Sequence, residues 1–246
     1  MKREPKFESV PYGVLAAGVI GLLLRLWLHS TRDDSGFVTR GHISGVLLLV
    51  LTAGVLIGLF LICRYFRQAN KYDFNFPASV VSALGSALGA AGIAIVSVTE
   101  LLAVTTVEGR ITALLGLLAA GALGFCAYSR WKGEKVSALF YGVVCVYLML
   151  RLFSMYRLWC TDPQLEEYTF ELMALACVML AAYHRAAFNA DFGSRRAYVF
   201  FDLAAVYFCC LSLTGGGAVI YIAMGVWMFT DLCKLTPMSR EQWENV

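Results

Sequence analysis

The chain has 246 residues, of which 59% are hydrophobic and only 15% charged, with a net charge of +3 and a mean hydropathy of +0.69. Soluble domains are about 45–50% apolar and about 25% charged, so a water-soluble fold of this length lacks the polar surface to cover its core. Disordered, collagen-like and coiled-coil chains fail on composition, and a secreted disulfide scaffold fails because the eight cysteines are spread through apolar runs. What remains is an all-α, polytopic transmembrane helical bundle whose main partner is the lipid bilayer. The net charge follows from loop topology and does not point to nucleic acid.

A helix needs about 20 apolar residues to cross a hydrocarbon layer of roughly 30 Å. Taken along the chain, that requirement predicts eight spans, at 11–28, 43–63, 78–104, 111–129, 136–159, 166–188, 197–213 and 217–235. Polar or helix-breaking stretches separate them: Arg32-Asp33-Asp34, Asn75-Phe76-Pro77, Glu108-Gly109-Arg110, Lys132-Gly133-Glu134-Lys135, Thr161-Asp162-Pro163, Gly193-Ser194-Arg195-Arg196 and Gly215-Gly216-Gly217. The third span is long enough to tilt or break, and the seventh is short. Loops are short throughout, so the chain reads as a single transmembrane domain over 1–246.

Basic residues orient the spans. Cytoplasmic loops are enriched in Lys and Arg. With the N-terminus inside and eight crossings, 14 of the 20 basic residues fall on the inner side, Arg64, Arg67, Lys71, Arg130, Lys132, Lys135, Arg185, Arg195 and Arg196 among them. The expectation is a multi-pass plasma (inner) membrane protein with both termini cytoplasmic. The apolar run after Met1-Lys2-Arg3 continues into Arg25-Leu26-Trp27 rather than a small-x-small cleavage site, which marks a retained first helix.

A weak internal echo accompanies this pattern. Arg25-Leu26-Trp27 matches Arg157-Leu158-Trp159, and Tyr65-x-Arg67-x-Ala69 with Asp73-Phe74 matches Tyr183-x-Arg185-x-Ala187 with Asp191-Phe192. One reading is a parallel 4+4 duplication with halves 1–131 and 132–246, an architecture that places substrate between repeats. The other is a shared need for interface anchors, since Arg and Trp recur at helix ends.

Small residues line the first four spans, as in Ser82/Ser86 with Gly85/Gly89 and Gly116/Ala120/Gly124. Such faces let backbones approach closely. They fit either a tight core against the aromatic later helices or a homodimer face through the third span.

Ionisable groups inside hydrocarbon are costly and point to function. The outer half of the bundle holds Arg151, Glu171 and Glu100, and Tyr147, Arg151 and Ser154 share one face of the fifth span. The fifth and sixth spans are expected to be antiparallel neighbours, which lets Arg151 reach Glu171. These five residues form the candidate substrate-binding set, an outward-facing site for a small anionic solute or ion; the competing reading is a structural Arg–Glu pair. Arg25 and Arg157, each near a Trp, read as rim anchors. In the inner half, Asp202 is expected to pair with Arg195 and Arg196, and Asp231 to cap its helix.

No His-Glu-x-x-His, Gly-x-Ser-x-Gly or phosphate-cradling Gly-Lys-Ser/Thr motif is present. The three histidines are isolated and the cysteines read as small apolar filler. No catalytic residue, metal ligand or cofactor is therefore assigned. Two functions follow: a small-solute or ion transporter, or a non-catalytic scaffold or partner subunit that assembles through glycine- and serine-rich helix faces.

Overall fold

The computed structural model describes residues 9–31, 42–66, 71–160 and 165–235. All the regular structure among them is helical: α1 (Val10–Ser30), α2 (Ile43–Tyr65), α3 (Tyr72–Asn75), α4 (Val80–Ala103), α5 (Val107–Lys132), α6 (Ala138–Trp159), α7 (Leu165–Asn189), α8 (Arg195–Leu211) and α9 (Ala218–Cys233). A 3-10 turn, Ser212–Thr214, follows α8. Seven helices are long and apolar enough to cross a membrane, and α9 is a shorter apolar eighth. The eight expected spans match these eight helices, and α4 runs unbroken. Of the residues used to orient the spans, Lys2, Arg3, Lys6, Arg67 and Arg240 lie outside the described residues, as does the Arg32–Asp34 loop.

Local chemistry sets the boundaries. Pro11 stands at the start of α1, where its missing N–H costs nothing. Ser79, Thr106 and Ser137 each accept a backbone N–H from the first turn of α4, α5 and α6. Thr106 starts α5 four residues earlier than hydropathy alone places it, so Glu108-Gly109-Arg110 lies inside the first turn instead of breaking the chain. Gly133, at φ 77°, ends α5 in the left-handed conformation that a side chain resists. The four-residue α3, between α2 and α4, has no counterpart in the hydropathy pattern.

Helices α4, α5, α6, α7, α8 and α9 each pack on the next, and α9 returns to α4, closing a circuit of six; α1 and α2 pack outside it, on α8. Side chains from α4, α5, α6 and α9 fill the middle. Ile93, Leu123, Val144 and Met224 are wholly buried there and form an apolar belt. The circuit has two ends. Tyr12 meets Phe229 edge-on at one of them, so the described chain begins and finishes on the same side, as an even number of crossings requires.

The small-residue face of α4 is used inside the chain. Gly85 faces Thr230, Gly89 would bring a Cβ to 3.0 Å from that of Trp227, and Gly92 faces Ala223, all on α9. A dimer face on Gly85/Gly89 is thereby corrected: lipid offers no driving force to separate α4 from α9, and close backbone approach gains dispersion contacts that lipid tails cannot match. The echoed stretches sit in unlike surroundings: Arg25 is buried, whereas Arg157 is exposed.

Candidate functional site

Four of the five expected site residues come together at one end of the circuit. The 3.6-residue period of α6 puts Tyr147, Arg151 and Ser154 on one face, turned toward α4 and α5. Arg151, 4% exposed, donates from Nη1 to both carboxylate oxygens of Glu100, at 2.8 and 3.0 Å, and to the Tyr147 hydroxyl at 3.2 Å. Glu100 keeps 31% of its side chain exposed. Gly116 on α5 makes room for this arrangement, since a Cβ there would stand 2.8 Å from the Tyr147 ring and collide with the Ser97 hydroxyl.

Above these residues opens a cavity of about 420 Å³, lined among others by Glu100, Thr112, Arg151, Ser154 and Arg157. At its rim Arg157 pairs with Glu108 at 2.9 Å, both 72% exposed. That pair is open to solvent and holds little energy, in keeping with the rim position expected of Arg157. Only one nitrogen of Arg151 is engaged by Glu100, and its Nε has no hydrogen-bond partner. The guanidinium lines the cavity floor with a single nitrogen engaged by Glu100, although Nε itself is sealed inside the protein.

Glu171 departs from expectation. Its partner is Arg25, with Nη2 to Oε1 at 3.8 Å, and the Tyr221 hydroxyl donates to it at 3.3 Å. Arg25 also donates from Nη1 to the Leu211 carbonyl at 2.6 Å and lies over the Phe170 ring. The expected Arg151–Glu171 pair is therefore corrected: α6 directs Arg151 toward α4, while α7 directs Glu171 toward α1 and α9. The anchor reading of Arg25 is corrected as well. Gly18 and Gly21 seat α1 so closely on Cys210 and Leu211 that Arg25, on the same face, is drawn inside. A Cβ at Gly215 would meet the Glu171 carboxylate, so the absence of a side chain there lets that carboxylate take its present position.

The opposite end carries a second polar cluster, whose arginines were expected among the basic residues of the inner side. Arg130, Arg185, Arg195, Asp202, Asp231, Asn75, Ser82 and Asn189 are all buried there. Arg195 donates to Asn75 at 3.2 Å and Arg196 to the Phe66 carbonyl, so neither pairs with Asp202 as expected. The reason is steric: α3 and its flanks lie across the start of α8 and claim both guanidinium groups. Asp202 is wholly buried and neither of its oxygens has a hydrogen-bond partner. Asp231, expected as a solvated cap, is buried and accepts from the Ser82 hydroxyl.

One signal could have found this cluster. Arg185 continues the row Val178, Ala181, Ala182, Phe188 and Asn189, the buried face of α7. A cation on an apolar face is a membrane-interior cation even near a helix end.

Fold and site together define a multi-pass helical membrane protein with an ion-paired cavity at one end. Comparison with protein-family models, curated proteins and solved structures finds no match.

Proposed function

We propose that the protein is a small-solute transporter or permease whose Arg151–Glu100 cavity receives a small anionic solute. The observation that carries this reading is the incompletely engaged guanidinium of Arg151 at the floor of an open cavity. A cation retained at that depth is costly unless it is used, and a carboxylate that touches only one of its nitrogens can be exchanged for a solute anion. Tyr147 and Ser154, from the same helix face, add hydroxyl groups suited to orient such a solute. The Arg25–Glu171–Tyr221 network, next to the cavity and tied to α1, serves as a brace. In this reading the cavity faces outward and both termini are cytoplasmic in the plasma membrane, as the distribution of basic residues favours.

Flux measurements in phosphatidylcholine vesicles test the proposal. Vesicles containing the purified chain are expected to dissipate at least one imposed gradient of acetate, phosphate or chloride, and Arg151→Gln to fall to the level of empty vesicles at equal reconstitution. Wild-type vesicles that hold all three gradients, or Arg151→Gln vesicles that match wild type, would overturn it.

A second reading is a non-catalytic partner subunit. It draws on α2, where Gly54 and Gly58 leave open space at the position of a Cβ and a homodimer or partner helix could approach.

A further inference from the structure

At the end opposite the cavity, α5 and α7 bring two guanidinium groups into one closed space. Arg130 and Arg185 are each 2% exposed. Their guanidinium carbons lie 5.2 and 3.4 Å from the centre of the same ring, that of Phe76. Two bonds fix Arg130, from Nε to the Ser82 hydroxyl at 3.0 Å and from Nη1 to the Pro77 carbonyl at 2.8 Å. Its Nη2 has no hydrogen-bond partner, and neither do Nε and Nη1 of Arg185.

Two like charges with donors to spare require negative charge in contact with them. The carboxylates at this end provide it only at one remove. Asp231 reaches Arg130 through the Ser82 hydroxyl, which accepts from Nε and donates to the carboxylate, and neither Asp231 nor Asp202 forms an ion pair with Arg130 or Arg185.

We propose that Arg130 and Arg185 form a second station for a small oxyanion, a carboxylate or a phosphate, held shut in this state by the Phe76 ring. It rests on the reading above that such an anion crosses the bundle. Oxyanions suit the fork geometry of guanidinium donors and accept several N–H groups at once. In the closed state the π-face of Phe76 supplies the negative potential that the oxyanion supplies when bound. Phe76 belongs to the connector between α2 and α4, and its ring meets Phe188 and Tyr198 edge-on at 5.2 and 5.4 Å. Phe76 is one of three rings around Arg185, with Tyr72 and Tyr141 at 5.5 and 5.8 Å, and it is the one that Arg130 shares. The apolar belt of Ile93, Leu123, Val144 and Met224 separates this station from the cavity, as transport between two stations requires.

Isothermal titration of the purified full chain in detergent with sodium acetate and with sodium phosphate tests the proposal. Arg151→Gln is expected to retain binding of one of the two anions, and Arg185→Gln to weaken that binding roughly ten- to hundredfold, the range set by charged hydrogen bonds. Phe76→Leu, which removes the competing π-face and keeps an apolar side chain, is expected to tighten it. Loss of all binding in Arg151→Gln, with Arg185→Gln unchanged, overturns the second station and leaves the first. The reverse result overturns the first and supports the second. If water alone satisfies the free donors, neither Arg185→Gln nor Phe76→Leu alters anion affinity, and the proposal fails. Should Arg185→Gln not fold, Phe76→Leu decides, and absence of tightening overturns the station.

Discussion

The two ends of the bundle hold the same residue type by different means. At the cavity end Arg151 and Arg25 each meet a carboxylate, and Glu100 keeps part of its surface open. At the closed end Arg130 and Arg185 share an aromatic face, Arg130 adds two neutral oxygens, and no aspartate pairs with either one directly. Access to water separates the cases. A half-exposed carboxylate stays hydrated while it pairs, whereas a sealed pair loses hydration on both partners, and direct contact repays that loss only with near-ideal geometry. The closed end therefore depends on all its members together.

The contrast predicts unequal costs for removing one carboxylate. Asp231→Ala should destabilise the protein by about 1–3 kcal/mol, because it takes away the buried acceptor of the Ser82 hydroxyl. Glu100→Gln should cost less, roughly 1 kcal/mol, because the amide keeps an oxygen that can accept from Arg151 and this carboxylate is partly open to solvent. Thermal unfolding in detergent measures both, and equal losses would erase the difference between the ends.

A comparable effect tests the seam that joins them. Gly92→Leu should cost about 1–3 kcal/mol by forcing α4 away from Ala223. Gly121→Leu, with open space at its Cβ position, should leave stability unchanged in the same assay; a matching loss would show that helix content alone sets the response.

The smallest effect lies at the surface of the closed end. Asp191, between α7 and α8, pairs with Lys135 and accepts the Tyr72 N–H. The Lys135 hydrogen bond holds its carboxyl below the usual range. The stabilisation is therefore complete above the unfolded carboxyl's pKa and disappears as pH falls through the lower folded value. Asp191→Asn should flatten the acid limb of the unfolding midpoint against pH, and an unaltered limb would show the contact to be inert. Exposure of both partners keeps this effect small.

The helices were legible because lipid imposes one rule: every span must satisfy its own backbone and present apolar side chains over a fixed length. Arg151, Glu100, Tyr147 and Ser154 were legible for a related reason, since charge at mid-depth and a common helix face are both properties of spacing. Pairing was not legible. Whether Arg151 reaches Glu100 or Glu171 depends on how α6 is rotated, which its apolar surroundings scarcely encode. Arg25 was hidden by the glycines that pull α1 onto α8. Arg130 and Arg185 were hidden by the positive-inside rule itself, which accounts for any basic residue near a helix end without asking which way it faces.

One consequence follows from the brevity of α9. Its 16 residues span about 24 Å, less than the roughly 30 Å of a typical hydrocarbon core, and they begin beside Gly215–Gly217 and Glu171. Along α9 the apolar length falls short of the bilayer, and the surrounding lipid thins locally to meet it at a modest cost. A membrane built of shorter acyl chains would therefore suit this side of the molecule better than a thick one.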